Sequence, residues 1–250
     1  MGKILEDTAL RGKTWIFKDR TDAGRQLALF LKEYEAQEAI VLAIPSGGIP
    51  IGIEIATAMS IPFDMIIVRK VPIPGNPEAG FGAVTLEGDV FLNDSLIRTL
   101  GLTPTQIEAS LKPIRGQIEI RNRLFRQDRP PAPVRGKIVI LVDDGLASGY
   151  TMVASIRSVE RADPKEIVVA VPTAPMHSVR RIASLVNLVI CLNIREGPYF
   201  AVAEAYENWY DLSDDEVLKF LRKPSSQGSA NSCQQNGEED PVLRRDRNNH

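Results

Sequence analysis

The sequence predicts an α/β fold in which a doubly wound, mostly parallel β-sheet carries helices on both faces. Short, unbroken apolar runs are typical of strands that are covered on both sides. Segments with apolar residues three or four positions apart alternate with these runs and predict the covering helices. The predicted strands are Ala39–Ile44, Asp64–Val68, Lys137–Val142, Glu166–Val171 and Asn187–Leu192.

The helix candidates between the strands include Ile49–Met59, Thr151–Arg161 and Ser178–Leu185. A longer helix is predicted from Thr103 towards Gln127, because Thr103 and Gln106 have the spacing of a capping box and Pro104 suits the first helical position. Pro113 is expected to kink this helix. We interpret its five arginines as a solvated face, not as a basic binding stripe; they are Arg115, Arg121, Arg123, Arg126 and Arg129.

Composition predicts one folded domain over residues 1–222 and a disordered tail over 223–250, where serine, glutamine, asparagine and glycine replace apolar residues. The 30 basic and 32 acidic side chains give a net charge of −2, so no nucleic-acid or membrane partner is expected. Only Cys191 and Cys233 occur, which argues against a disulfide framework or a thiolate metal site. With no signal peptide or transmembrane run apparent, we expect a cytoplasmic protein.

Two adjacent carboxylates, Asp143 and Asp144, follow the predicted strand Lys137–Val142 and precede a glycine- and hydroxyl-rich loop. Ligands of open α/β sheets lie beyond the carboxyl ends of the strands. Gly145, Ser148, Gly149 and Thr151 suit a phosphate at a helix N-terminus. The acids must then face another part of the same ligand, such as ribose hydroxyls or Mg²⁺, so the pattern indicates a phosphorylated sugar.

The strand, the acid pair and the segment "GLASGYT" resemble the phosphoribosyl-diphosphate (PRPP) motif of type I phosphoribosyltransferases, and the chain is similar to a less characterised branch of that family. This resemblance implies the fold of that family with a small C-terminal hood. It also implies that Asp143 and Asp144 bind the ribose hydroxyls and, through water, Mg²⁺. The residues implied to hold the 5-phosphate are Gly145, Leu146, Ala147, Ser148, Gly149, Tyr150 and Thr151.

Ala147 bears on the acceptor. Enzymes that act on 6-oxopurines usually have an aspartate at this loop position as a candidate general base, whereas adenine and orotate enzymes resemble this sequence in having alanine. Hypoxanthine and guanine are therefore less favoured as acceptors. His177 is the only histidine outside the tail, and we interpret it as a residue at a helix start.

A second glycine loop, formed by Ser46, Gly47 and Gly48, follows the first predicted strand. The resemblance implies that this loop receives the diphosphate and that a non-proline cis peptide lies near Ser46 or Gly47. Where the related branch has arginine in a "PRGG" pattern, this chain has Ser46. The resemblance to orotate-type enzymes assigns Arg69 and Lys70 to the diphosphate instead, with Lys70 among the catalytic residues beside the acid pair.

Residues 70–83 are rich in proline and glycine and predict a mobile lid, with Glu78 and Phe81 closing over the site. Residues 193–222 concentrate the aromatic side chains and predict the hood over the acceptor, with Tyr199 and Phe200 as candidates. A single ring in this segment can equally serve to pack the C-terminal helix. A homodimer is common among relatives, and the long helix gives no indication of what it packs against.

The function implied by the resemblance is Mg²⁺-dependent transfer of the 5-phosphoribosyl group of PRPP to a nitrogen of a nucleobase-like acceptor, with release of diphosphate. The main alternative is a non-catalytic, PRPP-sensing regulator of the same fold. A receiver-like or phosphatase-like domain using the acid pair for phosphoryl transfer fits poorly, since such domains typically place their acids after the first strand.

Overall fold

Six parallel strands form the main sheet in the computed structural model, which describes residues 2–127, 129–197 and 199–222 apart from the side chains of residues 77–79. The predicted tail 223–250 lies outside the described residues. The strands are β1 (Lys3–Leu5), β2 (Ala39–Ala43), β3 (Phe63–Met65), β4 (Val68–Ile73), β5 (Asn76–Thr85), β6 (Val90–Leu92), β7 (Ile138–Val142), β8 (Glu166–Pro175) and β9 (Leu188–Arg195).

Seven α-helices accompany these strands in the described ranges. They are α1 (Arg20–Phe30), α2 (Gly48–Met59), α3 (Asp94–Leu100), α4 (Pro104–Arg126), α5 (Tyr150–Glu160), α6 (Met176–Ala183) and α7 (Asp214–Arg222). Short 3₁₀ turns occupy Lys32–Tyr34 and Val202–Ala205. No helix within the described ranges has the length and apolarity needed to cross a membrane.

The main sheet has the order β1-β9-β8-β7-β2-β3 and is parallel throughout, which confirms the predicted α/β class. Alternate side chains of the central strands enter two cores. One core packs against α1 and α2, and the other packs against α5 and α6. Every residue of β2 and β7 is buried, as expected for strands that are covered on both faces.

The apolar run predicted as one strand over Asp64–Val68 belongs instead to two sheets. β3 ends at Met65, where its parallel pairing with Ala43 stops, and β4 begins at Val68 in a separate antiparallel sheet of order β4-β5-β6. The run is continuous because Ile67 also enters a core, the one formed by α4, α7 and the second sheet. Hydrophobicity alone cannot mark such a change of sheet.

The capping box of α4 is confirmed: the Gln106 N–H donates to Thr103 Oγ1 over 3.3 Å, and the Thr103 N–H donates to Gln106 Oε1 over 2.9 Å. One arginine contradicts the solvated-face interpretation. Arg126 is 5% exposed, and its Nη1 lies 2.9 Å from each carboxylate oxygen of Asp64. This buried ion pair fixes the end of α4 against β3.

Candidate functional site

Two loops follow the adjacent strands β2 and β7, at the point in the main sheet where the order of strand addition reverses. β2 continues through α2 to β3 on one side, and β7 continues through α5 to β8 on the other. Ala43 is paired with Val142 at the last position of both strands. Ligands of doubly wound sheets bind in the crevice at such a switch point, so the two loops delimit the candidate site.

We call the loop after β7 the first loop and the loop after β2 the second loop. The second loop contains a cis peptide bond between Pro45 and Ser46, at the place that the family resemblance implies. Gly47 packs against the acid pair so closely that a Cβ atom there would lie 1.9 Å from Asp144 Oδ2. A Cβ atom on Gly48 would lie 2.6 Å from the Val142 carbonyl oxygen. Both glycines are therefore required by the close approach of this loop to residues 142–144.

The first loop, Gly145–Thr151, leads directly into α5. Gly149 occupies the N-cap with φ +76°, a left-handed conformation that favours glycine, and no side chain caps this helix. Among the residues that the structure describes, the N–H groups of residues 147–152 meet no hydrogen-bond acceptor. Unpaired N–H groups at a helix N-terminus attract anions, so this segment is suited to a phosphate.

Contacts with β8 and α6 hold the same loop from behind. The Leu146 N–H donates to the Thr173 carbonyl over 3.0 Å, and the Ser178 hydroxyl donates to the Ala147 carbonyl over 2.5 Å. Arg181 donates to the Ser148 carbonyl over 3.1 Å. The last two bonds hold the Ala147 and Ser148 carbonyls on the side of the loop that faces α6.

The acid pair is partly buried and asymmetric. Arg20, the first residue of α1, places Nε and Nη2 each 2.9 Å from Asp144 Oδ2. The two side chains are 8% and 16% exposed. Among the described residues Asp143 forms no ion pair, and its Oδ1 accepts the Asp144 N–H over 2.9 Å. One of the two negative charges is therefore compensated by the protein itself.

This asymmetry affects the acidities. Burial and the neighbouring Asp144 charge raise the pKa of Asp143 well above the usual aspartate range. Burial also raises the pKa of Asp144, but the Arg20 guanidinium opposes that effect. In the protein alone, Asp143 is thus the carboxyl group that more readily holds a proton.

The predicted pair Arg69 and Lys70 lies inside β4, with the two side chains on opposite faces of the second sheet. Arg69 is paired with Val84, whose face packs on α4, and its Nη2 donates to Gln117 Oε1 over 2.7 Å. Lys70 is exposed and is paired with Ala83, whose face packs on Ala154 of α5. Alternation along a strand therefore separates the two predicted cations.

Residues 70–83 form most of a β-hairpin rather than an irregular loop, with Pro74 and Gly75 at its turn. Phe81, predicted to close over the site, is fully buried in the core shared with α4. The side chain of Glu78 lies outside the described residues. Motion of the hairpin stays a prediction.

The predicted hood segment does cross the carboxyl ends of the strands, but other residues make the contacts. Tyr199 is 88% exposed, and the Phe200 ring lies under Arg195, with the guanidinium 5.2 Å from the ring centroid. Val202 packs on Gly145, because a Cβ atom on Gly145 would lie 2.6 Å from Cγ1 of Val202. The Tyr206 hydroxyl donates to the Asp144 carbonyl over 2.6 Å. Acceptor roles for Tyr199 and Phe200 stay predictions.

Sequence reasoning did not identify Arg20, and it included Tyr206 only among the aromatic residues of the predicted hood. They lie 124 and 62 residues from Asp144, and neither belongs to a recognisable motif. Two features of the C-terminal segment could have indicated a role at the site, namely its unusual content of aromatic rings and its position after the last strand. The need of a buried aspartate for a cation could have indicated that a basic residue lies nearby.

The acid pair has the chemistry expected of a Mg²⁺ ion shared with a substrate. Mg²⁺ prefers oxygen ligands, keeps several waters and is commonly bound by one or two carboxylates together with substrate phosphates. Within the described part of the chain, no group of three or more histidine, cysteine, aspartate or glutamate side chains could form an all-protein metal site. Asp143 and Asp144 fit such an ion, which would be shared with the substrate.

Comparison with known proteins agrees with this geometry. A family model described as "Phosphoribosyl transferase domain" matches residues 18–208. Two proteins named "Putative phosphoribosyl transferase", from Mycobacterium tuberculosis strains CDC 1551 / Oshkosh and ATCC 25618 / H37Rv, are each 36% identical over 206 residues. Those residues are 82% of this chain but 46% of each relative, so the chain spans about half the length of the curated relatives it matches.

Among solved structures, the crystal structure of TT1426 from Thermus thermophilus is 33% identical and has a TM-score of 0.67. The match covers 82% of this chain and 97% of that protein. The region matched by the family model contains both strand-end loops, the acid pair and most of the segment that packs on it. The chain belongs to the phosphoribosyl transferase domain family.

Proposed function

We propose that this protein transfers the 5-phosphoribosyl group of PRPP to a nitrogen of a nucleobase-like acceptor and releases diphosphate in a Mg²⁺-dependent reaction. The observation that carries the proposal is the run of N–H groups over residues 147–152, unpaired among the described residues, immediately after the acid pair at the switch point of the sheet. A phosphate on those N–H groups places the rest of a sugar phosphate beside Asp143 and Asp144.

The residues divide the ligand between them. Gly145–Thr151 holds the 5-phosphate, and Asp143 and Asp144 accept hydrogen bonds from the two ribose hydroxyls. Ser46, Gly47 and Gly48 face the diphosphate, because their loop lies beside the acid pair. Bound Mg²⁺, held by Asp143 and Asp144 through water, would neutralise charge on the diphosphate.

Lys70 is the cation proposed for the leaving group. The face of the hairpin that carries Lys70 packs along α5. Ala83 contacts Ala154, nearer the N-terminus of α5. Glu87 contacts Ser158 and Asp89 contacts Arg161, near the C-terminus of α5. Since Lys70 is paired with Ala83, it lies towards the end of α5 that carries the anion loop. Arg69 is assigned no contact with diphosphate, because it is hydrogen-bonded to α4.

The chemistry needs orientation and charge stabilisation more than it needs a protein nucleophile. The acceptor nitrogen attacks C1 of the ribose as the bond to diphosphate breaks, and positive charge develops on the sugar ring in the transition state. The nearby carboxylates stabilise that charge, and the two loops hold both ends of PRPP in line for displacement. Ala147 offers no proton acceptor, which favours an acceptor whose nitrogen is already anionic.

The test is diphosphate release from Mg²⁺ and PRPP by purified protein, with and without a panel of purine and pyrimidine bases. Base-dependent release, lost in Asp144→Asn, supports the transferase. An Asp163→Asn variant is the matched control, because Asp163 is exposed and pairs only with exposed Arg135. PRPP binding without release for any acceptor would favour the PRPP-sensing regulator, and absence of PRPP binding would contradict both functions.

A further inference from the structure

Arg20 is a buried cation whose guanidinium group is held on every side. Nε and Nη2 lie 2.9 Å from Asp144 Oδ2, and Nη1 donates to the Tyr210 carbonyl over 2.9 Å. The guanidinium carbon lies 4.0 Å from the centroid of the Trp209 ring and 6.0 Å from that of Tyr206. Few rotamers satisfy all these contacts, so the orientation of the guanidinium is fixed.

One of the residues around Arg20, Tyr206, also holds Asp144. Tyr206, Trp209 and Tyr210 form what we call the C-terminal clamp. Tyr206 donates its hydroxyl to the Asp144 carbonyl, its ring packs 5.7 Å from Phe17, and Trp209 packs 5.2 Å from Tyr206. Asp144 is thus fixed at its backbone by the clamp and at its carboxylate by Arg20.

Burying a charged arginine costs several kcal/mol unless it gains equivalent interactions. A fold that needed only to close this corner of the core could use apolar side chains, which are often at least as stabilising as a buried ion pair. The contacts of Arg20 instead end on a carboxylate of the candidate site. These contacts therefore fix the orientation of the Asp144 carboxylate.

Charge gives a second reason for a cation at this position. Asp143 and Asp144 are adjacent, and they immediately precede the loop proposed for a phosphate. Two uncompensated carboxylates would repel that phosphate, and repulsion is strong where water is largely excluded. Arg20 compensates one of the two charges at 2.9 Å, which leaves a single net negative charge beside the sugar.

We propose that Arg20 is a positioning residue for PRPP binding, which holds the Asp144 carboxylate in one orientation and links the acid pair to the C-terminal clamp. The proposal rests on the proposed function, because it requires that Asp144 contacts the ribose. Arg20 itself touches Asp144 and not the ligand. The clamp thus reaches the acid pair in two ways, through the guanidinium group of Arg20 at the Asp144 carboxylate and through the Tyr206 hydroxyl at the Asp144 carbonyl.

The test measures PRPP affinity by calorimetry in the presence of Mg²⁺ for wild type, Arg20→Met and Arg20→Lys. Methionine keeps most of the volume without charge or donors, and we expect binding to weaken roughly 30-fold or more, within the range for buried charged hydrogen bonds. Lysine can pair with Asp144 but cannot also reach the Tyr210 carbonyl and stack on Trp209. Partial recovery is therefore expected for Arg20→Lys, which also serves if Arg20→Met folds poorly.

Arg126→Met is the matched control. Arg126 is also buried and paired with an aspartate, Asp64, but its contacts lie on β3 and at the end of α4, outside the acid pair and both loops. We expect this variant to lower the melting temperature without changing PRPP affinity. Unchanged affinity in Arg20→Met, or an equal loss in Arg126→Met, would overturn the proposal. Absence of PRPP binding by wild type would instead overturn the proposed function.

A spectroscopic measurement tests the link to the clamp. The sequence contains two tryptophans, and Trp15 is exposed, so Trp15→Phe isolates the emission of Trp209. We expect Mg²⁺ and PRPP to change that emission in a saturable manner, and the change to shrink when Arg20→Lys is added at saturating PRPP. An emission change of equal size in the Arg20→Lys variant, or no emission change in the wild-type background although PRPP binds, would overturn the link between Arg20 and the clamp.

Discussion

The two loops of the candidate site contain similar glycines for different physical reasons. In the loop after β7, Gly149 has φ +76°, a conformation that other residues adopt only with strain. In the loop after β2, Gly47 has φ −63°, which any residue adopts, but a Cβ there would collide with Asp144. Gly149 is needed for the shape of the backbone, whereas Gly47 is needed because the acid pair occupies the space of a side chain.

The two loops are therefore not independent anion sites. Gly47 contacts Asp144, Asp144 contacts Arg20, and Gly145 contacts Val202 of the segment that crosses the strand ends. A substitution in the second loop should therefore act through the acid pair, whereas one at Gly149 should act through local backbone strain.

The largest effect is expected for Gly47→Ala. The new Cβ would lie 1.9 Å from Asp144 Oδ2, so the carboxylate must move and its ion pair with Arg20 must distort. Losing hydrogen bonds to a charged group costs about 1.5–3 kcal/mol each, so we expect PRPP affinity to fall on the order of 100-fold by calorimetry. Gly116→Ala is the control, since a Cβ there meets nothing within 4 Å and alanine favours the helix. Wild-type affinity in Gly47→Ala would show that the second loop acts alone.

Asp143→Asn and Asp144→Asn should both weaken PRPP binding but should move stability in opposite directions. Asp144→Asn removes the charge partner of buried Arg20 and is expected to lower the free energy of unfolding by about 2 kcal/mol, the scale of a charged hydrogen bond. Asp143→Asn removes an uncompensated carboxylate and should raise the melting temperature at neutral pH. Equal shifts of the same sign in both variants would contradict the asymmetry of the acid pair.

The stabilisation in Asp143→Asn should depend on pH. Folding raises the pKa of Asp143, so between the ordinary aspartate pKa and the raised one the folded protein holds a proton that the unfolded chain has lost. The free energy of unfolding of the wild type therefore falls as pH rises through that window. Thermal melts over pH should show the advantage of Asp143→Asn growing through the window and absent below it, and an advantage independent of pH would contradict the cause given.

A smaller effect is expected for Gly149→Ala. Its Cβ has room, with the nearest atom at 3.8 Å, but the left-handed backbone should cost about 1 kcal/mol. Chemical denaturation should show that loss, with PRPP affinity lowered only a few-fold. A loss of affinity as large as that of Gly47→Ala would remove the distinction between the two loops.

The smallest effect is expected for Arg181→Ala. Arg181 is exposed, donates to the Ser148 carbonyl and lies over the Tyr150 ring with its guanidinium 5.0 Å from the centroid. Losing one exposed hydrogen bond behind the anion loop should weaken PRPP binding about two- to five-fold. A loss near 100-fold by calorimetry would indicate that Arg181 contacts the phosphate directly.

The parallel α/β fold and the acid pair with its loop, residues 143–151, could be predicted from the sequence alone. These features are local: the strands are read from continuous apolar runs, and the acid pair and its loop are contiguous, so their spacing survives folding. The capping box of α4 was readable for the same reason, since both of its residues lie within one helical turn.

The side chains that complete the site became apparent only in the folded protein. Arg20 and Tyr206 reach Asp144 from distant segments, because a buried carboxylate is satisfied by whatever the packing of α1 and the C-terminal segment brings near it. Arg69 and Lys70 are neighbours in sequence but lie on opposite faces of β4, and Phe81 enters a core to which several separate elements contribute. Such contacts depend on which surfaces meet, and a linear pattern does not record this.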